Sequence, residues 1–108
     1  VGRHTAVADA RGALHLMPLV RLRNRRSGKY LHVRKTLCKP GDPVAIFSEA
    51  MNDGNLFALQ RVGDDGRFRL LSARSQLFVS VPAHADARTP VEQVAWDTPT
   101  NGTCFTYD

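Results

Sequence analysis

Apolar and polar residues alternate with a period of two along several short stretches of this chain. Val20-Arg21-Leu22-Arg23-Asn24 puts two aliphatic side chains on one face and two arginines on the other, as a half-buried strand does. Arg25-Arg26-Ser27-Gly28-Lys29 follows with Ser-Gly turn chemistry, and Tyr30-Leu31-His32-Val33-Arg34 alternates again, so the two runs predict a hairpin. Lys39-Pro40-Gly41-Asp42 predicts a second turn and Val44-Ala45-Ile46-Phe47 a third short strand. Asn52-Asp53-Gly54-Asn55 then turns the chain into a fourth strand, Leu56 to Gln60. No stretch carries a sustained helical apolar period with caps; the nearest, Ala6 to Ala13, is short. The pattern predicts an all-β domain, closed into a barrel or a related form.

The same plan is written twice. Val20, Leu22, Ser27, Tyr30, Leu31 and Val33 recur as Phe68, Leu70, Ser75, Phe78, Val79 and Val81, each 48 residues further on. After a one-residue gap Pro43-Val44 recurs as Pro90-Val91. The gap then closes, and Phe57 and Leu59 recur as Phe105 and Tyr107. A period of this size indicates one supersecondary unit used repeatedly. The 108 residues therefore read as a single domain: an N-terminal segment (1–19), repeat one (20–62) and repeat two (67–108). Gly12 to Leu16 can supply one leading strand before Val20, in the place that Leu56 to Leu59 takes before Phe68. Val20, Leu22, Leu31, Val33, Phe57, Phe68, Leu70, Val79, Val81 and Phe105 are expected to share one core.

Charge adds a direction to this picture. The net charge of +5 hides an asymmetry: residues 1–40 hold ten Lys or Arg and one acidic residue, residues 41–108 five against nine. Arg21, Arg23, Arg25, Arg26, Lys29, Arg34 and Lys35 are the candidate anion-binding residues, because guanidinium forks suit sulfate, phosphate and carboxylate. Alternation predicts that Arg21, Arg23, His32 and Arg34 lie on one outer face. A plain solvated polar face is the other reading of that pattern. Aromatic residues do not interleave with the cations, which disfavours nucleic acid.

Other chemistry is sparse. There is no nucleophile elbow, metal-spaced His/Cys cluster or phosphate loop, so the chain is expected to be no enzyme and to need no cofactor or metal. No apolar run approaches the roughly 18 residues of a membrane helix, and Arg3 to Val20 lacks the continuous apolar stretch of a secretion leader. Cys38 and Cys104 allow at most one internal disulfide, and two reduced thiols fit as well. Trp96, the single tryptophan, reads either as core or as a stacking platform beside Glu92 and Asp97, which would accept hydrogen bonds from sugar hydroxyls.

The run from Val20 to Val33, then Pro43-Val44, then Asn55-Leu56-Phe57, resembles the ricin-type β-trefoil, or R-type lectin, repeat: Φ-x-Φ-x-N-x-x-S-G-K-x-L-x-V, then P-V, then N-Q-x-W. The resemblance covers about residues 20–108. It implies a β-trefoil-like fold and a glycan-binding module, as a targeting subunit or appended domain of a toxin or glycan-active enzyme, in a secreted or extracellular setting. In the family's sugar-binding repeats an Asp follows the second-strand Leu, a Gln and an aromatic lie on the third strand, and an Asn precedes the closing motif. Those positions here hold His32, Ala45, Phe47 and Gly54, and in the second unit Ser80, Glu92, a shifted Trp96 and Gly102. The candidate carbohydrate residues are thus His32, Phe47, Asn55, Glu92, Trp96 and Asp97. The aromatic platform is kept and the carboxylate and amide are not, so the alternative to a glycan-binding module is a protein-binding or structural trefoil with decayed sugar sites, as in fascin-like modules. A trefoil has three units and two are recognisable, which implies either a compressed N-terminal unit or a partner chain that completes the barrel.

Overall fold

The structure, a computed structural model, describes residues 4–8, 11–47, 53–62, 66–81, 91–95 and 105–106. These form strands β1 (His4–Ala8), β2 (Leu14–Val20), β3 (Tyr30–His32) and β4 (Ala45–Phe47), then a single 3-10 turn, η1 (Asp53–Asn55). Strands β5 (Phe57–Val62), β6 (Arg67–Ser72), β7 (Phe78–Ser80), β8 (Glu92–Val94) and β9 (Phe105–Thr106) follow. One sheet runs β1-β2-β5-β6-β7-β8 with β9 also on β6, and β3-β4 make a second. The pairings are antiparallel.

The sequence repeat reappears as strand register. Leu19 and Val20 face Ala58 and Phe57, and 48 residues on Arg67 and Phe68 face Thr106 and Phe105. Even the one-residue gap is visible: Tyr30, Leu31 and His32 face Phe47, Ile46 and Ala45, whereas Phe78, Val79 and Ser80 face Val94, Gln93 and Glu92. The turn that opens each unit is also built alike. Asn24 Oδ1 accepts from the Arg26 and Ser27 amides at 2.9 and 3.0 Å, and Ser72 Oγ accepts from those of Arg74 and Ser75 at 3.2 and 3.1 Å. Both turns then need a left-handed residue, which Gly28 supplies at φ 74° and its copy Gln76 at φ 60°. The units are stitched together by backbone: Val44 N–H donates to Val91 O at 2.7 Å and Gln93 N–H to Asp42 O at 3.0 Å.

Successive side chains on β5, β6 and β7 point to opposite faces, and both faces are covered. Phe57, Leu70 and Val79 join Val33 and Phe68 in one core, with Val20, Leu22, Leu31 and Phe105 packed against it. Their neighbours Ala58, Leu71 and Phe78 join Val7 and Met17 in another. The first core is the one the sequence predicts, except that Val81, expected to belong to it, lies just beyond β7 and is only half-buried. The second core is absent from that reading because its lid, Val7 and Met17, comes from the N-terminal segment, which carries no copy of the repeat.

The predicted leading strand is corrected in the same place. Leu14 to Leu16 is not a separate strand; it belongs to β2, which continues to Val20. Where the second unit has Gly63-Asp64-Asp65-Gly66 between β5 and β6, the first has His15-Leu16-Met17-Pro18, with no glycine or aspartate to turn the chain. β2 therefore runs on, pairing with β1 from Leu14 to Pro18 and with β5 at Leu19 and Val20. Pro18, which has no N–H to give, sits at that change of partner. Leu14 and Leu16 stay 72% and 75% exposed.

Phe57→Ala should cost about 3–5 kcal/mol by urea unfolding, as truncation of a fully buried ring does, whereas Leu16→Ser should stay within about 0.5 kcal/mol. Equal losses at the two positions would contradict this division of core and surface.

Candidate functional site

The alternation of β3 ends with the strand. His32 and Val33 are both buried: Val33 enters the core while the His32 imidazole lies over Gly54. Val33 N–H donates to Gly54 O at 2.7 Å, which draws η1 against the end of β3. Arg74 Nη1 donates to Val33 O at 2.8 Å, bringing in the turn of the second unit. A Cβ at Gly54 would collide with both the His32 ring and the Arg74 guanidinium. Glycine here is the space those two groups fill.

Across the hairpin, Tyr30 faces Phe47 and His32 faces Ala45, so these four share one face. The His32 and Phe47 rings lie with centroids 4.9 Å apart and planes at 34°. Phe47 remains 42% exposed. His32, Phe47, Arg34, Lys35 and Arg74 line an open depression of about 470 Å³. His32 is only 7% exposed, and its Nδ1 has no hydrogen-bond partner among the described residues. Burial holds its pKa below the ordinary value of 6.5, and repulsion from Arg74 and then Arg34 adds to the effect. The result is a neutral aromatic floor beneath a rim of cations.

The structure thus brings together four of the residues that the sequence singles out: His32, Phe47, Arg34 and Lys35. It corrects others. His32 does not share an outer face with Arg21 and Arg23, because the strand ends and the ring turns in over Gly54; of the predicted face only Arg34 stays beside it. Asn55 is fully buried, and its Oδ1 accepts from Arg21 Nε at 3.0 Å. That bond ties the end of β2 to η1, so Asn55 is a fastener that presents no surface to a sugar, and Arg21 is not a free cation. Arg23 and Lys29 line a different groove, of about 240 Å³, with Leu22, Leu31 and Ile46. Arg25 and Arg26 stand exposed on the turn. The basic hairpin is therefore divided among several surfaces.

Glu92 lies opposite Ser80 and bridges to Pro43, away from the depression. Val94 takes the place of Phe47 in the second unit, facing Phe78 as Phe47 faces Tyr30. Trp96, Asp97 and Cys104 lie outside the described residues. Cys38 is a partly buried free thiol whose Sγ donates to Arg34 O at 3.2 Å. Among the described residues no three His, Cys, Asp or Glu side chains are placed to hold a metal ion, and no helix is long and apolar enough to cross a membrane. Arg74 is the residue lining the depression that the sequence reading misses. It is the copy of Arg26, 48 residues on, so the signal lay in the repeat alignment itself.

No protein-family model matches the chain, and no curated protein matches it. Among solved structures it is similar to a designed 3-fold symmetric protein, ThreeFoil, with a TM-score of 0.66, 17% identity and 95% of each chain covered. That likeness shows the fold: the chain is an all-β domain of trefoil type. It concerns architecture alone and gives no membership of the ricin-type lectin family.

Arg21→Gln should cost about 1–3 kcal/mol, because a buried acceptor loses a charged donor, whereas Arg25→Gln with Arg26→Gln should stay within about 0.5 kcal/mol. Denaturant midpoints that moved equally would show that the Arg21–Asn55 bond contributes nothing. His32 supplies a pH test. Its folded pKa is depressed, so below pH 6.5 the unfolded chain binds more protons, and stability falls with pH until folded His32 itself titrates. His32→Gln should remove that part of the slope in unfolding free energies measured from about pH 7.5 down to pH 5; an unchanged slope would assign it to other groups.

Proposed function

We propose that this domain is a non-catalytic glycan-binding module whose ligand rests on the Phe47–His32 pair. The observation that supports the reading best is a half-exposed phenylalanine packed at a tilt against a buried imidazole at the floor of a depression on a trefoil hairpin. One face of a sugar ring is apolar and packs on an aromatic face, while its hydroxyls accept hydrogen bonds from Arg34, Lys35 and Arg74 at the rim. A broad apolar surface with a few placed polar groups is the usual composition of a small-molecule site. Such a module serves as a targeting subunit or an appended domain.

A second reading, a polyanion binder, is favoured by the exposed cations outside the depression: Arg23, Arg25, Arg26 and Lys29. The two readings part on salt and on Phe47. A glycan array probed at low and high salt with the parent and with Phe47→Ala tests them together. The expected result is a defined set of glycans that survives high salt and is lost, by about tenfold or more, in Phe47→Ala at unchanged melting temperature. Binding that vanishes with salt and ignores Phe47 would favour the polyanion binder, because contacts made by displacing counterions are steeply screened.

A further inference from the structure

The rim of the depression is chemically one-sided. Arg34, Lys35 and Arg74 are hydrogen-bond donors only, and no acidic side chain among the described residues lines the space with them. A neutral sugar presents hydroxyls that both donate and accept, and a site for it supplies acceptors as well as donors. The position where galactose-binding repeats carry an acceptor carboxylate holds His32 here, with the imidazole folded down over Gly54. An acceptor-only group matches this rim.

Arg74 is held ready for such a group. Its Nη1 is committed to Val33 O at 2.8 Å, which anchors the guanidinium at the depression, and no other side-chain hydrogen bond engages it among the described residues. Arg34 and Lys35 follow directly after β3 and Val33, on the segment whose amide at Val33 is pinned to Gly54. We propose that, if the glycan reading holds, the sugar is acidic: its carboxylate or sulfate lies among Arg34, Lys35 and Arg74 while its ring packs on Phe47. The inference rests on the glycan-binding reading above and adds the charge of the ligand to it.

Calorimetric titration with matched oligosaccharide pairs tests this, the members differing by one carboxylate in one series and by one sulfate ester in the other. The proteins are the parent, Arg34→Gln/Lys35→Gln, Arg25→Gln/Arg26→Gln and Phe47→Ala, each checked by thermal melting. The acidic member of at least one series should bind the parent about tenfold or more tighter than its neutral partner, the size of a charge-assisted hydrogen bond. Arg34→Gln/Lys35→Gln should erase that preference by weakening the acidic member far more than the neutral one, and Arg25→Gln/Arg26→Gln should leave the preference intact. Phe47→Ala should weaken both members of a pair. The series that shows the preference identifies the anion as carboxylate or sulfate. Equal binding of both members, still abolished by Phe47→Ala, would overturn the acidic-sugar inference and leave the glycan reading standing. An equal loss in Arg25→Gln/Arg26→Gln would overturn it too, because the charge of the whole hairpin would then be acting. If no glycan of either series bound the parent, both readings would fall.

Discussion

The domain depends on a central run of strands that is covered on both faces. Phe57 and Ala58, adjacent on β5, belong to different cores, as do Leu70 and Leu71 on β6 and Val79 and Phe78 on β7. Such a sheet cannot shift register by one residue, since every buried side chain would exchange cores and meet the wrong volume. One cover comes from the repeats themselves. The other comes from Val7 and Met17 on the N-terminal hairpin. This double cover fixes where β5 starts, and with it the η1 turn immediately before it.

The site inherits its geometry from that turn. η1 places Gly54 O where it receives the Val33 amide, and Asn55 Oδ1 where it receives Arg21. Ala73 N–H donates to Leu56 O at 3.0 Å, so the second unit's turn is docked against the same stretch. Arg74 arrives at the depression because its turn is built like that of Arg26 but faces a neighbouring unit, whereas the Arg26 turn is exposed. One sequence motif thus gives an outward arginine in one copy and an inward one in the other. Glycine at position 54 is coupled to the presence of His32: the imidazole occupies volume that a side chain at 54 would need.

Much of the fold was legible because the repeat states each strand twice. Period-two alternation located β3, turn residues bounded β4 and β5, the repeat carried the plan on to β6 and β7, and the aligned apolar positions picked out Phe57, Phe68, Leu70 and Val79 as core. The second core was not legible. Leu71 and Phe78 read as members of an ordinary half-buried hairpin, and nothing in Val7 or Met17 says what they cover. The straight course of β2 was written in an absence, the missing turn residues between His15 and Pro18, which alternation does not report. Of the site, His32, Phe47, Arg34 and Lys35 could be found by position, but their convergence could not. It follows from the end of β3 at His32, after which alternation no longer predicts direction, and from an arginine of the other repeat. Asn55 misled for a related reason: its place in the closing motif suggests a ligand contact, and burial beside Arg21 makes it structural.

The central claim is that the His32–Phe47 depression is where this domain meets its ligand. Amide chemical-shift mapping tests it most directly: a glycan that binds the parent is titrated into isotope-labelled protein and the perturbed residues are assigned. The account predicts that the largest shifts cluster at His32, Arg34, Lys35, Phe47 and Arg74, with Arg25, Arg26, Leu14 and Leu16 unmoved. Shifts concentrated instead on the exposed β1–β2 hairpin, or on the turn at Arg25 and Arg26, would contradict it.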